Sequence, residues 1–156
     1  MSSKLLLLLF GLLFFPAIAR AQAANEYERG VIAGYAYAKT HFLQLSILHG
    51  KHYRNVHVPA YGYGAGIELG VLDHEVTLGL KGFAEYNAFQ ILAARINAIT
   101  YLREDRLDLR LLPEVGLTAM GKATLLYGYG LPVAGREMPG ISEHRISLTF
   151  TFFPGE

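Results

Sequence analysis

Ile146-Ser147-Leu148-Thr149-Phe150-Thr151-Phe152 decides how the rest of this chain is read. Its even-numbered members are apolar, and the residues between them are small and polar. Alternate side chains of an extended strand project to opposite faces, so this stretch separates two environments. The same dyad returns upstream. Tyr61, Tyr63, Ala65, Ile67, Leu69 and Val71 share one face, with Gly62, Gly64, Gly66, Glu68 and Gly70 on the other. Val76, Leu78, Leu80, Ala84 and Tyr86 alternate with Thr77, Gly79, Lys81, Phe83 and Glu85. Leu107, Leu109, Leu111, Pro113, Val115 and Leu117 alternate with Asp108, Arg110, Leu112, Glu114 and Gly116, and Leu125, Tyr127, Tyr129 and Leu131 with Thr124, Leu126, Gly128 and Gly130.

Repetition on this scale, with no helical segments between, predicts an all-β fold: an eight-stranded antiparallel up-and-down transmembrane β-barrel. The strands are expected at 29–39, 41–53, 61–72, 75–86, 89–102, 106–119, 122–133 and 144–153. Transmembrane strands need about 9–11 residues, which these segments supply. Leu72-Asp73-His74-Glu75, Arg103-Glu104-Asp105 and Met120-Gly121 read as turns. Residues 133–143, with Gly135, Pro139 and Gly140, read as the longest exposed loop, and residues 54–60, with Pro59, as a second connection.

A half-buried soluble sheet alternates too, and the polar faces separate the two cases. They hold glycine and sparse charges rather than rows of Lys and Glu, which suits a narrow barrel interior. The charges also balance: Glu68, Glu85, Asp108 and Glu114 against Lys81, Arg95, Arg110 and Arg145. These eight form the expected lumenal network, in which pairing lowers the cost of burial. Arg110 and Glu114 are expected to join Lys81, Glu85 or their neighbours. The fifth strand is ambiguous by hydropathy, and Arg95 sets its facing. An Arg on a lipid face near the midplane costs about 2–4 kcal/mol, so Arg95 points inward with Asn97, Ile99 and Tyr101. Gln44 and Ser46 are also assigned inward. Inward glycines suggest some room in the lumen, although eight strands leave little. Tyr53, Tyr61, Tyr63, Tyr86, Phe152 and Phe153 sort to one end, and Tyr35, Tyr37 and Tyr101 to the other, as two aromatic girdles require.

Residues 1–21 have the parts of a cleaved signal peptide. Lys4 is the positive n-region and 5–15 the apolar core, followed by Pro16 and Ala19-Arg20-Ala21. Residues 22–156 then form one barrel domain, exported to the bacterial outer membrane. The chain is 52% hydrophobic with 10 Tyr and 9 Phe, and its mean hydropathy is +0.26, high for a secreted soluble domain. It has no cysteine, so disulfides cannot hold it together. A net charge of +1 offers no basic patch for nucleic acid.

The signal segment, the dyads at 61–71, 76–86 and 107–117, and the closing strand 146–153 together resemble the small eight-stranded outer-membrane barrels of Gram-negative bacteria. The type is that of OmpX-like proteins and the OmpA transmembrane domain. The resemblance is architectural and spans nearly all of residues 22–156. It implies outer-membrane lipid and the outer-membrane assembly machinery as partners. Such barrels end on an aromatic residue, whereas Pro154-Gly155-Glu156 follow Phe153 here.

Constellations with chemical content are few. His41, His49, His52 and His57 fall at mixed parity across a strand and a connection, which does not predict a metal site. His52-Tyr53-Arg54-Asn55 resembles the His-x-Ser-Asn stretch of outer-membrane lipid A deacylases, but Arg54 stands where acyl transfer needs a nucleophile. Ser142-Glu143-His144 gathers three suitable residues in sequence; a triad must instead meet in space. Gly62-Tyr63-Gly64-Ala65-Gly66 lacks the following helix of a phosphate loop. No catalytic residue, metal or cofactor is expected. The expected role is structural, or surface contact in the envelope. The alternatives are a lipid-modifying enzyme of the lipid A deacylase kind and a soluble periplasmic, lipocalin-like barrel.

Overall fold

The computed structural model describes residues 27–51, 60–72, 75–104, 106–135 and 137–154. The residues of the signal segment, Tyr53 and the 52–55 motif lie outside them. The chain forms strands β1 (Glu28–Tyr37), β2 (His41–Lys51), β3 (Ala60–Leu72), β4 (Glu75–Ala88), β5 (Leu92–Arg103), β6 (Arg106–Ala119), β7 (Ala123–Tyr129), β8 (Leu131–Gly135) and β9 (His144–Phe152). All neighbours are antiparallel, in the order β5-β4-β3-β2-β1-β9-β7-β6-β8, and pairing of β5 with β6 closes the ring. The first and last strands meet from Val31 opposite Phe152 to Tyr37 opposite Ile146. Since β7 and β8 are two halves of one stave, the barrel has eight.

That seventh stave was expected to be continuous over 122–133, and the break has a local cause. β6 pairs with β7 from Glu114 to Ala119 and with β8 from Asp108 to Leu111. The ladder lapses between them at Leu112 and Pro113, and proline has no N–H to contribute. Opposite, Gly130 turns its N–H to Glu143 O at 2.6 Å. The Leu112 carbonyl takes a side chain, Asn97 Nδ2, at 3.1 Å.

Facing follows the dyads. Glu68, Thr77, Lys81, Glu85, Arg95, Asn97, Asp108, Arg110, Glu114, Arg145 and Thr149 are buried, as are Gln44 and Ser46. Leu43, Leu45, Ile47, Ile67, Leu80, Val115, Leu125, Leu148 and Phe150 are exposed. The middle of the interior is polar, with an apolar cluster toward each end, and the outer surface is mainly apolar.

Two ends can be distinguished: the terminus end, where β1 begins and β9 finishes, and the opposite mouth. The 133–143 segment does not stand free at the mouth as the sequence suggests. After β8 it folds back into the barrel, where Met138 and Ile141 pack with Ala36, Ala38, Phe42, Ile99, Tyr101 and Leu112. Ser142 N–H donates to Ala38 O at 2.9 Å, and Thr40 Oγ1 to Gly140 O at 2.9 Å. Tyr101 belongs to this cluster rather than to an outer girdle. It shares parity with Arg95, and that inward facing decides it. Phe153 likewise leaves the girdle and closes the terminus end against Ile32, Leu48 and Phe83.

Candidate functional site

The site with chemical content is the lumen, and its charges fall into three tiers. Nearest the mouth, Arg110 grips Asp108, with Nε and Nη2 donating to Oδ2 at 2.9 and 2.7 Å. Both members of this pair also hold the plug, Arg110 as donor and Asp108 as acceptor. Arg110 Nη1 reaches Ile141 O at 3.2 Å and Ser142 O at 3.3 Å, and Met138 N–H donates to Asp108 Oδ2 at 2.8 Å.

The middle tier is the largest. Arg145 meets Glu68 bidentately, Nη2 to Oε1 at 2.7 Å and Nη1 to Oε2 at 2.9 Å. Lys81 Nζ lies 3.2 Å from the same Oε1 and donates to Gln44 Oε1. Arg145 Nη1 also donates to the Tyr101 hydroxyl at 2.8 Å, and its Nε to Ser147 Oγ at 3.1 Å. Ser147 Oγ passes the contact on to Glu114 Oε1 at 2.8 Å, and Asn97 Nδ2 takes Glu114 Oε2 at 2.9 Å. Planar fork-to-carboxylate pairing is the geometry in which burial of such charges is best compensated.

Toward the terminus end, Arg95 Nε donates to Glu85 Oε2 at 2.8 Å, and Asn87 Nδ2 holds Oε1 at 2.7 Å. Arg95 Nη2 also reaches Thr149 Oγ1 at 3.3 Å. Phe83 separates this tier from the middle one, with Arg95 at 5.5 Å and Lys81 at 5.9 Å from its ring centre. A cation at that distance from an aromatic face is attracted to it, so the ring serves both tiers.

All eight charged residues singled out in the sequence are therefore buried. Their four-to-four balance holds within each tier: two acids and two bases in the middle, one of each above and below. The expected grouping needs one correction. Glu114 joins Lys81 through Arg145 and Glu68, whereas Arg110 pairs with Asp108 on its own strand. Residues two apart on one strand share a face, and that neighbour outcompetes Lys81 across the barrel. Tyr101 and Asn97 were placed inward with Arg95, and Ser147 on the polar face of the closing strand, but neither they nor Asn87 were expected to bridge the charges. Parity with Arg95, Glu85 or Arg145 was the signal that could have found them.

The inward glycines do not leave the lumen open. A Cβ on Gly64 would stand 2.6 Å from Phe83 Cζ, on Gly70 2.6 Å from Phe42, on Gly62 2.6 Å from Leu48 Cδ1 and on Gly128 2.6 Å from Glu114 Cγ. Each glycine is the hollow for a large neighbour. At the terminus end, Leu48, Glu85, Asn87 and Phe153 border a recess of about 20 Å³, enough for about one water. At the mouth, Arg110, Pro132, Met138 and Glu143 border an open recess of about 330 Å³.

The outer rims carry tyrosine–histidine pairs. At the mouth, Tyr127 Oη lies 2.6 Å from His144 Nδ1, and Tyr35 Oη bonds His41 Nδ1. Glu143 accepts from Tyr129 Oη, and Ser142 Oγ accepts from His144 N–H at 3.1 Å. The His144 ring and the Glu143 carboxylate thus turn to separate tyrosines, and Ser142 Oγ meets the backbone of His144 rather than its imidazole. His41 and His49 lie on the outer face at opposite ends of β2, while His52 and His57 lie outside the described residues. Among the described residues, no group of three His, Cys, Asp or Glu side chains converges as metal ligands would. Comparison with protein-family models, with curated proteins and with solved structures finds no match.

Proposed function

We propose that this chain is an integral outer-membrane β-barrel of the small eight-stranded kind, with a structural or surface-contact role in the bacterial envelope and no enzymatic activity. One observation carries the reading: the distribution of polarity is inverted. Eight charged side chains are paired inside, and every stave exposes large apolar side chains on its outer face. In water such a wall would aggregate; in lipid it is the stable arrangement, because closure pairs the strand backbones around the ring, and at the Leu112–Pro113 break the Leu112 carbonyl accepts from Asn97 instead. The apolar file on β6 from Leu107 to Leu117 rises about 25 Å at about 3.4 Å per residue and about 40° of tilt, the height of a hydrocarbon core in this class. On the outer face, exposed Tyr35, Tyr37, Tyr127 and Tyr129 lie in the mouth halves of their strands and Tyr63, Tyr86 and Phe152 in the terminus halves, where rings with a polar tip favour a headgroup region.

A lipocalin-like ligand barrel needs an apolar cavity inside and charges outside, the reverse of this arrangement. A lumen filled by three ion-pair tiers and capped at both ends supports a scaffold rather than a conduit. The test is fractionation of cells followed by a gel with and without boiling. The expected result is recovery with the outer membrane, detergent dependence, and different migration of folded and boiled protein. Soluble recovery from the periplasm would overturn the reading. The amino terminus of the folded protein is expected at Gln22 or Ala24.

A further inference from the structure

The turn joining β4 to β5 is built against backbone preference. Phe89 and Gln90 sit at φ of 53° and 59°, in a tight turn closed by Ile91 N–H to Ala88 O at 3.2 Å. Such turns favour Asn and Gly, and a bulky residue there strains the backbone. In the neighbouring turn from β6 to β7, Met120 has φ 55° beside Gly121. The two tips are tied together, Thr118 N–H to Ile91 O at 2.7 Å and Met120 N–H to Gln90 O at 3.1 Å.

Their apolar side chains point away from the protein: Phe89 is 75% exposed, Ile91 60%, Leu92 51% and Met120 59%. None of them belongs to the two apolar clusters inside the barrel, so the packing within does not account for the strain. Strained, exposed apolar turns direct attention to something outside the chain. The β1–β2 side of the same end is different. On β1 and β2 the outward files finish in Arg29, His49 and Lys51. On β6 the outward file from Leu107 through Val115 and Leu117 carries no charge and runs on to Met120. The corner is thus a continuation of the apolar wall.

We propose that the paired tips, led by Phe89, Ile91 and Met120, insert into the acyl-chain region of the lipid leaflet at the terminus end, so that the barrel's lipid contact is deeper on its β4–β6 side. This rests on the membrane reading above. The occupant is lipid, because the corner is continuous with the wall that lipid covers. Lys122, exposed beside the tip, has a stem long enough to reach headgroup phosphates from there.

The chain has no tryptophan and no cysteine, so single probes report without background. Phe89→Trp, Leu45→Trp on the wall and Arg29→Trp on the opposite rim would be folded into phosphatidylcholine vesicles, with and without bromine on the acyl chains. Phe89→Trp is expected to lose most of its emission to the bromine, as Leu45→Trp does, and to be shielded from acrylamide. Arg29→Trp is expected to respond to acrylamide instead. Phe89→Trp behaving like Arg29→Trp, or being shielded from both quenchers by a second copy, would overturn the proposal while leaving the membrane reading intact. Loss of bromine quenching at Leu45→Trp as well would overturn both. Phe89→Cys supplies an independent reading should the larger ring disturb the turn. It is expected to resist a water-soluble maleimide in vesicles and to react after unfolding; equal labelling in both states would also overturn insertion.

Discussion

Glu85 and Arg95 show what a single residue does in this lumen. Both are buried, and each is the principal counter-charge of the other. Arg95→Met strands the Glu85 carboxylate beside Phe83, and Glu85→Gln strands the guanidinium, each at a cost of about 3–5 kcal/mol. The double variant should cost less than the sum, by about 0.5–3 kcal/mol of coupling. Urea unfolding in one lipid checks both figures. The tiers themselves are separate: Arg110 and Arg95 share no hydrogen-bond partner. Arg95→Met combined with Arg110→Met should therefore be additive to within about 0.5 kcal/mol. Strong coupling would mean that the tiers act as one network.

Each strand has one face fitted to a neighbour and one fitted to its surroundings. On β3 the inward glycines are fitted tightly: a Cβ on Gly64 would fall 2.0 Å from Ile47 O as well as against Phe83. A backbone oxygen cannot swing aside as a side chain does. Gly64→Ala should lower stability by about 1–3 kcal/mol, measured by the same unfolding. The outward face should respond to charge rather than volume. Leu80→Arg and Leu109→Arg are each expected to cost about 2–4 kcal/mol near a bilayer midplane. Thr149→Ser, which keeps the hydroxyl that accepts from Arg95, should be mild. Equal tolerance on both faces would contradict the proposed lipid contact.

The whole molecule closes at three levels: the Met138–Ile141 plug, the tiers, and Phe153. A lumen so filled should pass no ions, and purified protein in a planar bilayer is expected to give no conductance steps. Steady single-channel steps from the unmodified chain would remove the picture of an occluded scaffold. The edge of β8 is blunted by Pro132, a bulge opposite Leu109 and Arg110, and Gly135 at φ 92°. These devices protect a protruding edge from chance pairing with other chains.

The number of staves, the facing of the dyads and eight of the buried charges were determined by the sequence alone. The reason is that side-chain parity in a strand is set by covalent geometry, and a closed two-sided wall repeats it. Even the ambiguous fifth strand yielded to the cost of an exposed Arg95. Arg103, read as a turn residue, instead ends β5 facing inward, 3.3 Å from Glu75. Partners were decided only in three dimensions, because they depend on register and on the reach of long side chains around the ring. Arg145 and Glu68 are far apart in sequence, yet they meet across the lumen. The plug was hidden for a related reason. Met138 and Ile141 sit among glycine and proline without periodicity, and only the apolar hollow made by Phe42, Ile99 and Leu112 draws them in. Pro113 stood in the sequence as one more member of the outward file of β6, and the split that it causes at Gly130 fell on a different stave. A missing N–H is felt by the neighbour across the ladder, and which strand is that neighbour is a property of the closed barrel.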